Sequence, residues 1–143
     1  DLQLQVFSLQ AALAEKHRLP IIIHCVRAWD ELRTIKRTLQ PTVPWIWHGF
    51  NRPKLINAVI NEGFFLSLGA DLIRSEALKR VVEEVPMNRI LLESDDSAYS
   101  IEEIYRCLAT LKQLPLLTVE DDLFNNIKHI FPKWITGLNA LSY

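Results

Sequence analysis

The 143-residue chain is poor in cysteine (two), glycine (four) and methionine (one), and its charges nearly cancel, 16 Lys and Arg against 17 Asp and Glu. No apolar run approaches the about 18 residues that a membrane span requires, and no secretion-signal pattern occurs in the residues given. A net charge of −1 without a Lys/Arg cluster argues against a protein that coats nucleic acid nonspecifically, because that mode needs many phosphate contacts. A site that grips one or two phosphates through a metal is compatible with it. Cys25 and Cys107 fit no CxxC or CxxH spacing, so they are expected as reduced thiols in a cytosolic protein rather than as a disulfide framework. The sole methionine is Met87 and the first residue is Asp1, from which the expectation is a fragment whose N-terminal part lies upstream.

What is present is an ordinary globular composition, 49% hydrophobic and 23% charged, in a chain long enough for one domain. Val6, Phe7, Gln10, Leu13 and Ala14 recur at helical spacing up to Pro20, which predicts an amphipathic helix over the first 17 residues. Ile21 to His24 reads as a buried strand, and Ala28 to Leu39 as a helix that Pro41 and Pro44 terminate. Trp45 to His48 is a second strand, followed by a helix from Pro53 that Gly63 closes. Phe64 to Leu68 is a third strand; Ser75 caps a helix to Val85; Ile90 to Glu93 is a fourth strand. Ser100 and Glu103 form a capping box for a helix to about Gln113, and a last helix is expected from Thr118, with Asp121 in its first turn, to Phe131.

Strand and helix alternate at intervals of about 20 to 25 residues, the rhythm of βα units with parallel pairing. Four units account for about half of an eight-stranded barrel; an open doubly wound sheet is the alternative. In either architecture reactive groups gather at the C-terminal ends of the strands.

Three of those ends carry metal-ligating side chains: His24, His48 and Asp95. Two imidazoles and a carboxylate suit zinc, manganese or iron, and magnesium where carboxylates dominate. Glu93 stands two residues before Asp95, so on an extended backbone both face one side; it supports a ligand, handles a proton, or is a buried structural glutamate. Asp96 is expected in a loop, His17 and His129 facing solvent, and the four tryptophans in packing, with Trp29 a candidate for a pocket mouth.

Taken in order, Leu19-Pro20-Ile21-Ile22-Ile23-His24-Cys25, His48-Gly49-Phe50, Gly63-Phe64-Phe65-Leu66-Ser67, Arg89-Ile90-Leu91-Leu92-Glu93-Ser94-Asp95 and Asn126 before Ile130-Phe131 resemble the TatD family of metal-dependent hydrolases. Gln3, Phe7, Gln10, Leu13 and Ala14 extend the resemblance to the first helix. It implies a (β/α)8 barrel related to amidohydrolases, one or two divalent ions (Mg, Mn or Zn), and a cytoplasmic deoxyribonuclease. His24 and His48 correspond to the family's two later histidine ligands and Asp95 to its strand-end aspartate.

The family's His-x-His pair on the first strand and its ligating glutamate on a middle strand have no counterpart here. His24-Cys25-Val26-Arg27 stands where His-Cys-Arg is frequent, His48-Gly49-Phe50-Asn51 for His-Cys-Phe-Thr, and Asp95-Asp96-Ser97 for Asp-Ala-Pro. Residues 1–143 are therefore expected to be the C-terminal part of a single barrel domain, inactive or nearly so by itself. The expected reaction is hydrolysis of DNA, single-stranded or at a terminus, with Glu93 and Asp95 handling the attacking water and Arg27, Arg52 and Arg74 holding phosphate. An amidohydrolase acting on a small amide or ester, or a barrel kept as a non-catalytic scaffold, are the rival expectations. Oligomeric state is left open.

Overall fold

The computed structural model describes residues 2–133; Asp1 and Trp134, both considered above, lie outside them. Helix α1 (Leu2–His17) leads into strand β1 (Ile21–Ile23), α2 (Trp29–Leu39) into β2 (Trp45–Trp47), and α3 (Ile56–Asn61) into β3 (Phe65–Leu68). Two short helices, α4 (Asp71–Arg74) and α5 (Glu76–Val82), precede β4 (Ile90–Leu92), and α6 (Ile101–Lys112) and α7 (Leu116–Ile130) follow it. The strands form one sheet in the order β1-β2-β3-β4, all parallel, with Ile22 opposite Ile46 and Ser67 opposite Leu91. Every pair is consecutive in sequence because each helix returns the chain to the same end of the sheet, as βα units require.

Short as they are, the strands hold their register by burial. On one face Trp45, Trp47, Leu66, Leu68 and Ile90 pack into the main core beneath the helices, with Phe7 edge-on to Trp45 at 5.4 Å. On the other, Ile46, Phe65 and Leu91 pack against Ile130, Ile127 and Phe131 from the end of α7. Burying a Leu, Ile or Phe contributes about 1.5 to 3 kcal/mol, and a one-residue slip would turn each set to the wrong face. Asn126, buried on α7, donates through Nδ2 to the carbonyls of Met87 and Ile90, both at 2.8 Å, and so ties the helix to the start of β4.

Several boundaries differ from the sequence expectation. The capping box at Ser100 forms, and Ser75 caps α5, but α5 ends at Val82. Helix α4 was not anticipated; four residues are too few to display a period. Helix α7 begins at Leu116, ahead of the predicted Thr118, because Pro115 serves as N-cap and its fixed φ suits that position. Helix α1 forms as expected but turns Phe7 and Ala11 to the core, while Val6 and Leu13 remain exposed.

Candidate metal and phosphate site

The backbone fixes the C-terminal strand ends before any side chain acts. The His48 N–H donates to the Ile23 carbonyl at 2.9 Å and the Glu93 N–H to Leu68 at 3.1 Å, extending the parallel ladders one residue past the strands. His48 and Glu93 are thereby held at the rim on either side of β3. Glu93 Oε2 lies 2.7 Å from His48 Nδ1 and also accepts the Ser67 hydroxyl; Oε1 accepts the Gly49 N–H at 2.9 Å. The carboxylate orients the imidazole ring and leaves Nε2 facing away. That second nitrogen stands 3.4 Å from Asp95 Oδ2. The His24 ring lies beside it, with centroids 5.9 Å apart.

His24, His48 and Asp95 thus adjoin at one mouth of the sheet, in pairs. Among the described residues no group of three or more His, Cys, Asp or Glu side chains is drawn close enough to hold a metal ion by itself. The donor chemistry fits a divalent ion nonetheless: two imidazoles and a carboxylate, one imidazole braced by a carboxylate on its far nitrogen, the arrangement that fixes the tautomer of a metal-ligating histidine.

Glu93 and Asp95 do not share a face by strand alternation, because Asp95 leaves the extended conformation, with φ of 43°. That turn brings its carboxylate, 64% exposed, to His48 from the side opposite Glu93, which is 16% exposed. Gly69 makes room for Glu93: a Cβ there would lie 3.3 Å from Glu93 Cγ.

A cavity of about 450 Å³ opens beside this cluster, lined by Gly69, Asp71, Arg74, Glu93, Asp95 and Asp96 among others. Arg74 is the single cation of that lining, its guanidinium 5.2 Å from the Tyr99 ring. Asp71, which accepts from Asn51 Nδ2 at 2.9 Å, is a third strand-end carboxylate that sequence reading missed, since it sits in the unanticipated α4. Arg27 and Arg52 lie elsewhere, in a second cavity with Cys25, Trp29 and Trp47. The three arginines therefore flank the mouth rather than converge.

Asp96 occupies the loop, and His17 and His129 are exposed, as expected. Cys25 and Cys107 are free thiols. Burial pushes the Cys25 thiol up, with the Ala28 backbone hydrogen bond and then Arg52 opposing.

Residues 1–132 match the sequence pattern of the family described as TatD related DNase. The chain is 36% identical over 99 residues to an uncharacterized metal-dependent hydrolase, YabD, of Bacillus subtilis (strain 168), covering 66% of this chain and 39% of that protein. It is 30% identical over 99 residues to a 3'-5' ssDNA/RNA exonuclease TatD of Erwinia tasmaniensis, covering 65% and 38%. The chain spans half or less of the length of these curated relatives. In structure it resembles YjjV, a TatD homolog from Escherichia coli K12, with a TM-score of 0.77 at 22% identity over 86% of this chain and 54% of that one. That likeness bears out the fold class, a parallel α/β sheet of the (β/α)8 barrel type seen here through four strands. By the extent of the sequence match, the chain belongs to the TatD-related DNase family.

Proposed function

We propose that the protein is a divalent-metal-dependent hydrolase that cleaves DNA phosphodiester bonds with water, of which residues 1–143 are the C-terminal part of a single barrel domain. One observation carries the reading: Glu93 braces His48 on Nδ1 and leaves Nε2 facing Asp95, beside His24. His24, His48 and Asp95 would hold the ion, whether Mg, Mn or Zn and whether one or two. A divalent ion bound there supplies an acidified water and polarises a phosphoryl oxygen.

The chain's own residues do the rest. Glu93 positions His48, since both of its oxygens already accept hydrogen bonds. Asp95, more exposed and without a competing donor of that kind, orients the water and takes its proton. Arg74 faces the same cavity and neutralises phosphate, with Arg27 and Arg52 contributing from the adjoining one. DNA is the substrate class named by the family, and the Erwinia relative's name favours a single-stranded end. A cytoplasmic location goes with this reading. No helix among the described residues is long and apolar enough to cross a membrane.

The test uses full-length protein with single-stranded DNA and manganese or magnesium. The expected result is hydrolysis that His48→Ala abolishes together with stoichiometric metal binding, while residues 1–143 alone show little or none. Amide or ester hydrolysis without phosphodiester cleavage, or an undiminished His48→Ala variant, would overturn the proposal.

A further inference from the structure

The second cavity, on the flank of the mouth opposite Arg74, has an aromatic wall that the hydrolytic reading leaves without a role. It measures about 350 Å³, within the range of small-ligand pockets, and is lined by Cys25, Arg27, Trp29, Asp30, Glu31, Trp47, Arg52 and Leu55. Cys25 and Trp47 are the sequence neighbours of His24 and His48, so the cavity lies at the same C-terminal end of β1 and β2 as the two imidazoles.

Its apolar wall is built from indoles. Trp29 stacks on Trp47 with centroids 5.6 Å apart and planes at 29°, and Trp47 is in turn held edge-on by Phe50 at 5.2 Å. Trp47 is 3% exposed and serves as a rigid backing, while Trp29 is half-buried and reaches the cavity. Arg27 is carried on a left-handed backbone, φ 54°, in the loop between β1 and α2. Arg52 Nη1 donates to Asn51 Oδ1 at 2.7 Å, and Asn51 reaches Asp71 at the first cavity. Aromatic surface with guanidinium groups alongside is the combination that takes a base and its phosphate together.

We propose that this cavity is a nucleobase subsite, in which the base of a nucleotide next to the scissile phosphate packs against Trp29 while Arg27 and Arg52 hold the adjoining phosphate. The assignment rests on the nucleic-acid reading of the neighbouring mouth. It makes Trp29 a determinant of preference for strands that carry bases over bare sugar-phosphate, with little discrimination among bases, because every base offers a π-face.

The test compares an oligothymidylate with an abasic oligomer of equal length and charge, bound to full-length protein in chelator so that no turnover occurs. Wild type is expected to bind the oligothymidylate about tenfold more tightly, a modest value for one stacked base. Trp29→Ala is expected to bring the two to the same affinity without weakening the abasic oligomer, and Trp29→Phe to keep most of the preference. Equal binding of both oligomers by wild type would overturn the subsite, and this comparison needs no variant to fold. Equal loss on both oligomers in Trp29→Ala would overturn it as well, marking Trp29 as a packing residue only. Turnover with manganese is scored separately: a Trp29-dependent base preference without cleavage would sink the hydrolase reading and leave the subsite standing.

Discussion

Glu93 and His48, 45 residues apart in sequence, meet through Oε2 and Nδ1 at 2.7 Å, and the same carboxylate takes the backbone N–H of Gly49. The carboxylate therefore fixes both the ring of His48 and the turn that follows it. Removing its charge while keeping its shape isolates that function. In full-length protein, Glu93→Gln is expected to weaken divalent-metal binding by about 10- to 100-fold, the usual effect of losing a carboxylate behind a ligating histidine. Metal titration by calorimetry checks this, with circular dichroism confirming that the fold survives.

Gly69 gives a finer perturbation of the same group. A methyl there would stand 3.3 Å from Glu93 Cγ and 3.5 Å from its carbonyl oxygen, so the carboxylate must shift by a few tenths of an ångström. Because a misplacement of about 1 Å can cost 100-fold in rate, Gly69→Ala is expected to lower kcat about three- to tenfold. Steady-state kinetics on a short single strand reads the effect; thermal stability should move little.

The strand ends were legible in the sequence because each apolar run stops at a polar residue of the mouth: Ile21 to Ile23 at His24, Trp45 to Trp47 at His48, Ile90 to Leu92 at Glu93. The Ser100–Glu103 capping box was legible too, being local chemistry between residues three apart. The hydrogen bonds that organise the mouth were not. Ser67 and Gly49 reach Glu93 across 26 and 44 residues, and no periodicity encodes such contacts. Asp71 was hidden in a four-residue helix. The turn at Asp95 was hidden by the assumption that alternation continues past the strand, where no ladder enforces it.

Acid stability should respond at a place remote from the site. Glu15, at the end of α1, accepts the hydroxyl of Thr42 and the N–H groups of Thr42 and Val43 ahead of β2. The Thr42 hydroxyl chiefly, and those amides with it, hold its carboxyl below the usual glutamate value. A depressed folded-state pKa gives stability that is present above the unfolded value and is lost as pH falls through the folded one. Urea titrations of wild type and Glu15→Gln should differ near neutral pH and converge in acid, with the difference shrinking below the ordinary glutamate range.

Asn126 offers a stability test that leaves the mouth untouched. Its Nδ2 reaches two carbonyls from a buried position; Asn126→Leu takes the donor from the Ile90 carbonyl, whereas the Met87 carbonyl keeps the Ile90 N–H. The expected cost is about 1 to 3 kcal/mol for that one buried carbonyl. A lowered denaturation midpoint with kcat unchanged at permissive temperature is the outcome to look for.

Asp95 separates stability from activity in one side chain. Its φ of 43° places a non-glycine residue in the left-handed region, which costs an L-residue about 1 to 2 kcal/mol, somewhat less for aspartate. Glycine there relieves that strain but gives back about 0.5 to 1 kcal/mol through the greater freedom of the unfolded chain. Asp95→Gly is therefore expected to be as stable as wild type or more so by up to about 1 kcal/mol, while losing the carboxylate that faces His48 Nε2. Asp95→Asn keeps the backbone preference and loses only the charge. If the carboxylate serves the reaction, both variants should lose about a hundredfold or more in kcat, as expected for a missing acid–base group, with only the glycine variant gaining in melting temperature. Activity retained in Asp95→Asn would assign the residue to the turn alone, and a drop in stability in Asp95→Gly would mean that the contact with His48, not the backbone, holds this loop.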